Sequence, residues 1–248
     1  MKDRIGSQIL THYPHNIEIA KRITQQESFI SEDNKMQIHV PELAKDLLEQ
    51  IGFEARKSEY VDAKSGVSTR MSITAFENLI SSAERRLLIT RDQNTNIRMS
   101  DFHGVISAIN GKIELVYEGE QEGASEVAYH LISSAIKTLF PLYFPKIEKL
   151  EKTNLEGPYD ELLGWFLKEN ELFIEDDLDE NNHQKSLDAI PALKKIMKKF
   201  QSELDKKDYY FMVEFLLWGL EAHQKLNKLR KFEGTQFRDS LGSFINRL

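Results

Sequence analysis

Between Ile73 and Leu88 the apolar residues Ile73, Phe76, Leu79, Ile80, Ala83, Leu87 and Leu88 recur at intervals of three and four. Among regular structures only a helix gathers that spacing on one face, because its turn of 3.6 residues brings i, i+3, i+4 and i+7 together. The spacing predicts a helix over Ile73–Arg91. Ser72 and Thr74 are candidate caps, and Thr74 and Glu77 stand at the separation of a capping box. Ahead of the stripe, Gly66-Val67-Ser68-Thr69-Arg70 sets a glycine turn and one arginine at the helix mouth. Taken by itself, the stretch is a loop arginine beside a core helix.

The helical period returns along the chain. His15–Phe29 carries Ile17, Ala20 and Ile23 at that spacing. Val40-Pro41 opens a helix with Leu43, Leu47, Leu48 and Ile51, which Gly52 ends. Residues 53–69 read as irregular. Ser100 can cap a helix with Phe102, Val105, Ile106, Ile109, Ile113, Val116 and Tyr117 on one face, before a break at Gly119–Gly123. Ala124–Phe144 carries another stripe and meets Pro141 and Pro145 at its end. Six prolines and twelve glycines in 248 residues are few for a sheet fold full of tight turns. The expected class is therefore mainly α.

Residues 146–157 are rich in lysine and glutamate and end at Gly157-Pro158, which predicts a linker. Beyond it, helices are expected around Leu162–Phe166, from Pro191 through Met197 and over Tyr209–Leu229. A fourth would carry Phe237, Leu241, Phe244 and Ile245, making a small all-helical unit.

Composition narrows function mostly by exclusion. There is no cysteine, hence no disulfide, thiol nucleophile or thiolate metal site. The net charge is −7 with basic residues interspersed among acidic ones, so no nucleic-acid partner is expected. The cluster Lys194-Lys195 to Lys198-Lys199 reads as one solvated helix face. No apolar run reaches membrane-spanning length, and no apolar segment follows Met1–Gly6 as in a signal peptide. A cytoplasmic location and no membrane partner are expected.

The chemistry of a self-contained enzyme is missing. No Gly-x-x-x-x-Gly-Lys is followed by Ser or Thr, so the phosphate cradle of a P-loop is absent. Gly111-Lys112 precedes Ile113, which cannot ligate magnesium. Leu172-Phe173-Ile174-Glu175-Asp176 reads as an acidic loop. Asp177-x-Asp179-x-Asn181 begins like a calcium loop, but Asn182 replaces the glycine and Asp188 the glutamate. His12-x-x-His15 has no carboxylate companion, and no Gly-x-Ser-x-Gly elbow occurs. No metal site is expected.

Three segments carry a resemblance. Lys2-Asp3-Arg4-Ile5-Gly6 resembles the Leu-Asp-Arg-Phe segment that closes the nucleotide core of magnesium-chelatase-like, MoxR-like AAA+ ATPases. Ser65-Gly66-Val67-Ser68-Thr69-Arg70 resembles their sensor-2 turn, which opens a helix of the lid. Ile97–Phe102 with the helix behind it is similar to their closing lid pattern, and Glu118–Gly123 with residues 154–248 resembles C-terminal extensions of one bacterial branch.

The resemblance implies a tail of the AAA+ core over residues 1–30, a helical lid over 31–145, a linker over 146–157 and a helical extension over 158–248. It implies that Arg4 is the arginine finger and Arg70 sensor 2. ATP and Mg2+ would be cofactors only with the missing core present, and the partners would be that core, the ring neighbours and an unidentified protein client. An arginine suits both places, since its planar, permanently charged fork can grip two phosphoryl oxygens. One held there in trans contributes about 10³–10⁵ in rate. The chain alone is expected to be inactive. The alternative is a free-standing helical adaptor that binds a protein partner without ATP chemistry.

Overall fold

The computed structural model describes residues 6, 7, 9–147, 157–168 and 170–240. Helix α1 (Ile17–Glu27) starts where the Asn16 side chain accepts from the Ile19 amide at 2.9 Å. A short helix α2 (Glu32–Gln37) leads into β1 (Ile38–His39), and Pro41 opens α3 (Glu42–Ala55) as its apolar spacing predicts. The amphipathic stripe forms α4 (Arg70–Thr90), a full turn longer at its N-terminus than the periodicity alone gives. Ser68 accounts for the extra turn. Its hydroxyl accepts from the Arg70 amide at 3.2 Å and its carbonyl from the Met71 amide at 2.9 Å, so the helix starts there. Ser72 is therefore buried inside the helix rather than capping it, and Glu77 accepts from the Phe29 amide at 2.9 Å.

Strand β2 (Thr95–Asn96) pairs in parallel with β1, Ile38 opposite Thr95 and His39 opposite Asn96. A 3-10 turn (Met99–Gly104) runs into α5 (Val105–Asn110), which stops well short of Tyr117. The chain instead turns so that Leu115 bridges Val61, and the Val116 amide donates to the Tyr60 carbonyl at 3.0 Å. Helix α6 (Tyr117–Glu122) follows, and then α7 (Ala124–Tyr143), which contains Pro141 in its last turn and packs on α3 and α5.

The second half departs further from expectation. Helices α8 (Asp160–Leu167), α9 (Glu180–Asp188), α10 (Pro191–Phe200) and α11 (Lys206–Ala222) surround a three-stranded antiparallel sheet. The strands are β3 (Leu172–Glu175), β4 (Leu226–Lys231) and β5 (Gly234–Asp239), in the order β3-β5-β4. The expected all-helical unit is corrected accordingly. The Tyr209–Leu229 helix ends at Ala222, and the presumed acidic loop at Leu172 is an edge strand with Leu172 and Ile174 turned inward. Phe237 lies in the central strand, paired with Leu172 and Lys228, while 241–248 lie outside the described residues.

Helices α7 and α11 cross closely, and the Phe140 ring lies 6.1 Å from Phe215 and 6.2 Å from Tyr159. Buried apolar residues continue through this contact as one cluster from Ile38 to Phe237. Residues 148–156 of the expected linker lie outside the described residues. Among the described residues no helix is long and apolar enough to cross a membrane.

His103 sits in this contact region, 5.7 Å from the Trp218 ring and 6.2 Å from Tyr129, its Nδ1–H donating to the Ser100 carbonyl at 2.7 Å. Burial, helped by Arg230, pushes its pKa down to about 4 from 6.5. The unfolded chain therefore takes up the proton first on acidification. Stability should fall as pH drops from 6.5 towards 4, by roughly 1–2 kcal/mol after allowance for partial exposure. Urea unfolding of wild type and His103→Gln across that range checks it, and equal pH slopes would contradict it.

Candidate functional site

The Gly66–Arg70 turn is held from three sides. The Gly66 amide donates to the Asp62 carbonyl at 3.1 Å, and Gly66 takes φ +72°. A Cβ there would also lie 2.3 Å from the Tyr13 hydroxyl, so both conformation and space demand glycine. The Val67 amide donates to that same hydroxyl at 3.2 Å, which ties the lead-in to α1 onto the turn. Val67 and Met71 are buried, so the turn is anchored while Arg70 points outward. Among the described residues no hydrogen bond or ion pair engages the Arg70 guanidinium. A fixed backbone thus presents a free charge.

Behind the turn lie two further titratable groups. Glu49, on α3, is buried and accepts from the Thr24 hydroxyl at 2.5 Å and from Ser72. Burial pushes its carboxyl above the ordinary glutamate range, against those hydrogen bonds. Arg56, at the end of α3, places its guanidinium carbon 4.5 Å over the Tyr13 ring and 5.3 Å from that of Phe53. Burial lowers its pKa from the usual arginine value, while Tyr13 and Glu49 act the other way. A cavity of about 70 Å³ opens between Arg56, Tyr13, Asp62, Gly66 and Val67.

Of the two arginines singled out in the sequence, only Arg70 falls within this arrangement; Arg4 lies outside the described residues. The His12 and His15 rings stack at 4.3 Å. Among the described residues no group of three or more His, Asp or Glu is placed to hold a metal ion. Asp179 caps α9, accepting from the Asn182 amide at 2.9 Å, and Asp177 pairs with Arg85 at 2.6 Å.

Sequence reasoning missed a buried ionic cluster that joins the two halves. Arg86 and Arg98 are 2% and 1% exposed, and Glu214 and His183 are 2% exposed each. Arg86 on α4 donates to Asp101 and, at 2.7 Å, to the Asn96 carbonyl. Arg98 donates to the Leu178 carbonyl at 2.8 Å and meets Glu180 of α9 at 3.3 Å. Glu214 of α11 accepts from the Met99 amide at 2.9 Å and lies 3.2 Å from His183 Nε2. Burial pushes the Glu180 carboxyl up, but Arg98, Gln184 and Asn96 outweigh it and hold it below the ordinary range. A glutamate inside the apolar run Phe211–Trp218 was the available signal, because a charge there requires a buried partner.

Beside this cluster runs a cleft of about 850 Å³. Ile38, Phe76 and Ile80 line it from the first half, and Glu180 and Asp208 from the second. His39 crosses it to Asp208, Nε2 to Oδ1 at 2.6 Å. Both halves build its walls.

Compared with protein-family models, with curated proteins and with solved structures, the chain matches none.

Proposed function

We propose that this chain is the lid and C-terminal region of an AAA+ ATPase of the magnesium-chelatase-like, MoxR-like group, with Arg70 as its nucleotide-sensing arginine and Arg4 as its finger. The observation that carries this reading is the geometry of Arg70. It is an unpaired guanidinium at the first residue of a 21-residue helix, on a turn that glycine and Tyr13 hold in place. Such a side chain has no hydrogen bond or ion pair among the described residues, yet its backbone is tied by hydrogen bonds. Charge stabilisation of a phosphoryl group needs a cation that is not already engaged, and a bonded turn at the helix start would aim this one.

Without a P-loop, the phosphates and their magnesium ion would be gripped by a core that these residues do not contain. The magnesium ligands belong to that core, and the resulting machine would remodel a protein client. Purified chain mixed with Mg-ATP should release phosphate at the buffer rate. Joined to a nucleotide-binding core of the same group, it should support hydrolysis. Arg70→Ala in that assembly should lower turnover at least about tenfold, the loss of one charge-assisted hydrogen bond, while ATP still binds. Arg4→Ala should also lower it. Turnover indifferent to Arg70 would remove the sensor assignment.

The cleft favours a second reading, a helical adaptor that takes a protein segment between its halves. Exposed Met36 stands at its rim, and exposed Phe29 lies between two lining residues. An assembly that never hydrolyses ATP but captures a protein through the cleft would select it.

A further inference from the structure

We infer that the cleft takes an extended protein segment, which lays apolar side chains on the cleft floor, pairs its main chain beside β1 and presents a carboxylate to Lys207. The inference rests on the adaptor reading of the cleft and is independent of Arg70. Its first support is the floor. Ile30, Ile38, Val40, Phe76 and Ile80 line the cleft with side chains that hold no polar atom, and Met36 at the rim is 73% exposed. A flexible thioether left in water beside an aliphatic floor adapts to the side chains of a partner.

The polar lining supplies the second support. Gln25, Asn34, Gln37 and Asn94 face the cleft, and among the described residues no hydrogen bond engages their side-chain amides. A carboxamide carries the same donor and acceptor groups as a peptide unit, so these side chains match a main chain whatever its sequence. Strand β1 adds a backbone group. The His39 carbonyl accepts from the Ile97 amide at 3.0 Å, so Ile38 and Val40 turn their backbone groups to the edge away from β2. On that edge the Ile38 amide already donates to the Asn34 carbonyl, and Ile38 is buried. Val40 is partly exposed, and its amide has no acceptor among the described residues. Such an open edge is where an extended chain adds itself as a strand.

Charge supplies the third. Lys35 pairs with Glu32, Lys45 with Glu42, Glu180 with Arg98 and Asp208 with His39. Among the described residues, Lys207 is the one charged lining residue without an ion pair. A segment with one acidic residue complements it. A sugar would also suit the carboxamides, but the aliphatic floor offers a hydroxylated ring neither donor nor acceptor.

The test uses the whole chain, with a phage-displayed library of random dodecapeptides as probe. Enriched sequences should carry apolar residues at alternate positions and one Asp or Glu. Synthetic peptides of those sequences should bind saturably and shift the ¹⁵N–¹H signal of Val40. Met36→Asp should weaken binding at least about tenfold, as loss of a central apolar contact does. Lys207→Glu should weaken it at least about threefold, and a lysine in place of the peptide's acid should restore it. Lys112→Gln, an exposed cation outside the cleft, should change it less than about twofold.

No enrichment over a Met36→Asp bait, an unmoved Val40 signal, or peptides indifferent to Lys207→Glu would each overturn the inference. So would a neutral oligosaccharide that shifts the cleft signals where peptides do not, or self-association of the chain that Met36→Asp abolishes. A folded partner bound through Met36 with the Val40 signal unmoved would dismiss the extended segment and keep the adaptor reading. A cleft that responds to none of these probes would dismiss both.

Discussion

Arg86→Met should lower the free energy of unfolding by about 3–5 kcal/mol, the range for breaking one side of a buried ion pair. The reason lies with the groups left behind. Asp101 would lose its guanidinium partner in a site from which water is excluded, and the Asn96 carbonyl would lose its donor. Asp101 would still accept from the Arg98 amide at 2.8 Å, which limits the damage but cannot balance a charge. Urea unfolding followed by far-ultraviolet circular dichroism measures the loss. The double variant Arg86→Met/Asp101→Asn should recover part of it, because the orphaned charge goes with the second change. A single-variant loss below about 1 kcal/mol would place the pair in the weak, solvated class instead.

Gly219→Val should cost about 3 kcal/mol, the upper part of the range for overpacking a core. A Cβ on Gly219 would lie 2.1 Å from Phe140 Cδ2 and 2.2 Å from Cε2. The ring cannot withdraw easily, since Phe144, Phe215, Tyr159 and His223 surround it at centroid distances between 5.3 and 6.2 Å. Gly219 sits in α11 because α7 passes against it there, although glycine costs about 1 kcal/mol against alanine in a helix interior. Adding Phe140→Leu to Gly219→Val should cost less than Phe140→Leu does in wild type, by a coupling of about 0.5–3 kcal/mol. The experiment also asks whether the two halves unfold together. Strict additivity, or two separate transitions with only the second one shifted, would show that the α7–α11 contact carries little of the stability.

Both sites illustrate where local sequence stops being informative. Arg86 occupies a stripe position between Ala83 and Leu87, and periodicity treats it as an interruption of an apolar face. Its partners are nine to fifteen residues away across the β2 turn, and Glu180 of α9 and Glu214 of α11 complete the cluster. Arg98 is more instructive still. The motif around it resembles a lid pattern, but its own contacts run to Leu178 and Glu180, eighty residues on. Glu214 alone carries a local signal, one charge inside the apolar run Phe211–Trp218, and the sequence reading passed over it.

The sequence by itself determined three long helices of the first half, but not α2, α6 or the early end of α5. Continuous stripes over residues 43–51, 73–88 and 127–140 became α3, α4 and α7, because each offered a face that only a helix can bury. It also marked the Gly66 turn, since a glycine ahead of a helical stripe is a local signal. Tertiary structure decided the rest. Residues 226–231 belong to no helix because β5 needs a partner on each side, and strand pairing satisfies backbone groups that side-chain period cannot report. It decided as well that Arg56, an ordinary arginine at a helix end, stands without an acceptor among the described residues. Tyr13 approaches it from forty-three positions earlier, and only the fold brings that ring, the Gly66 turn and the guanidinium to one cavity.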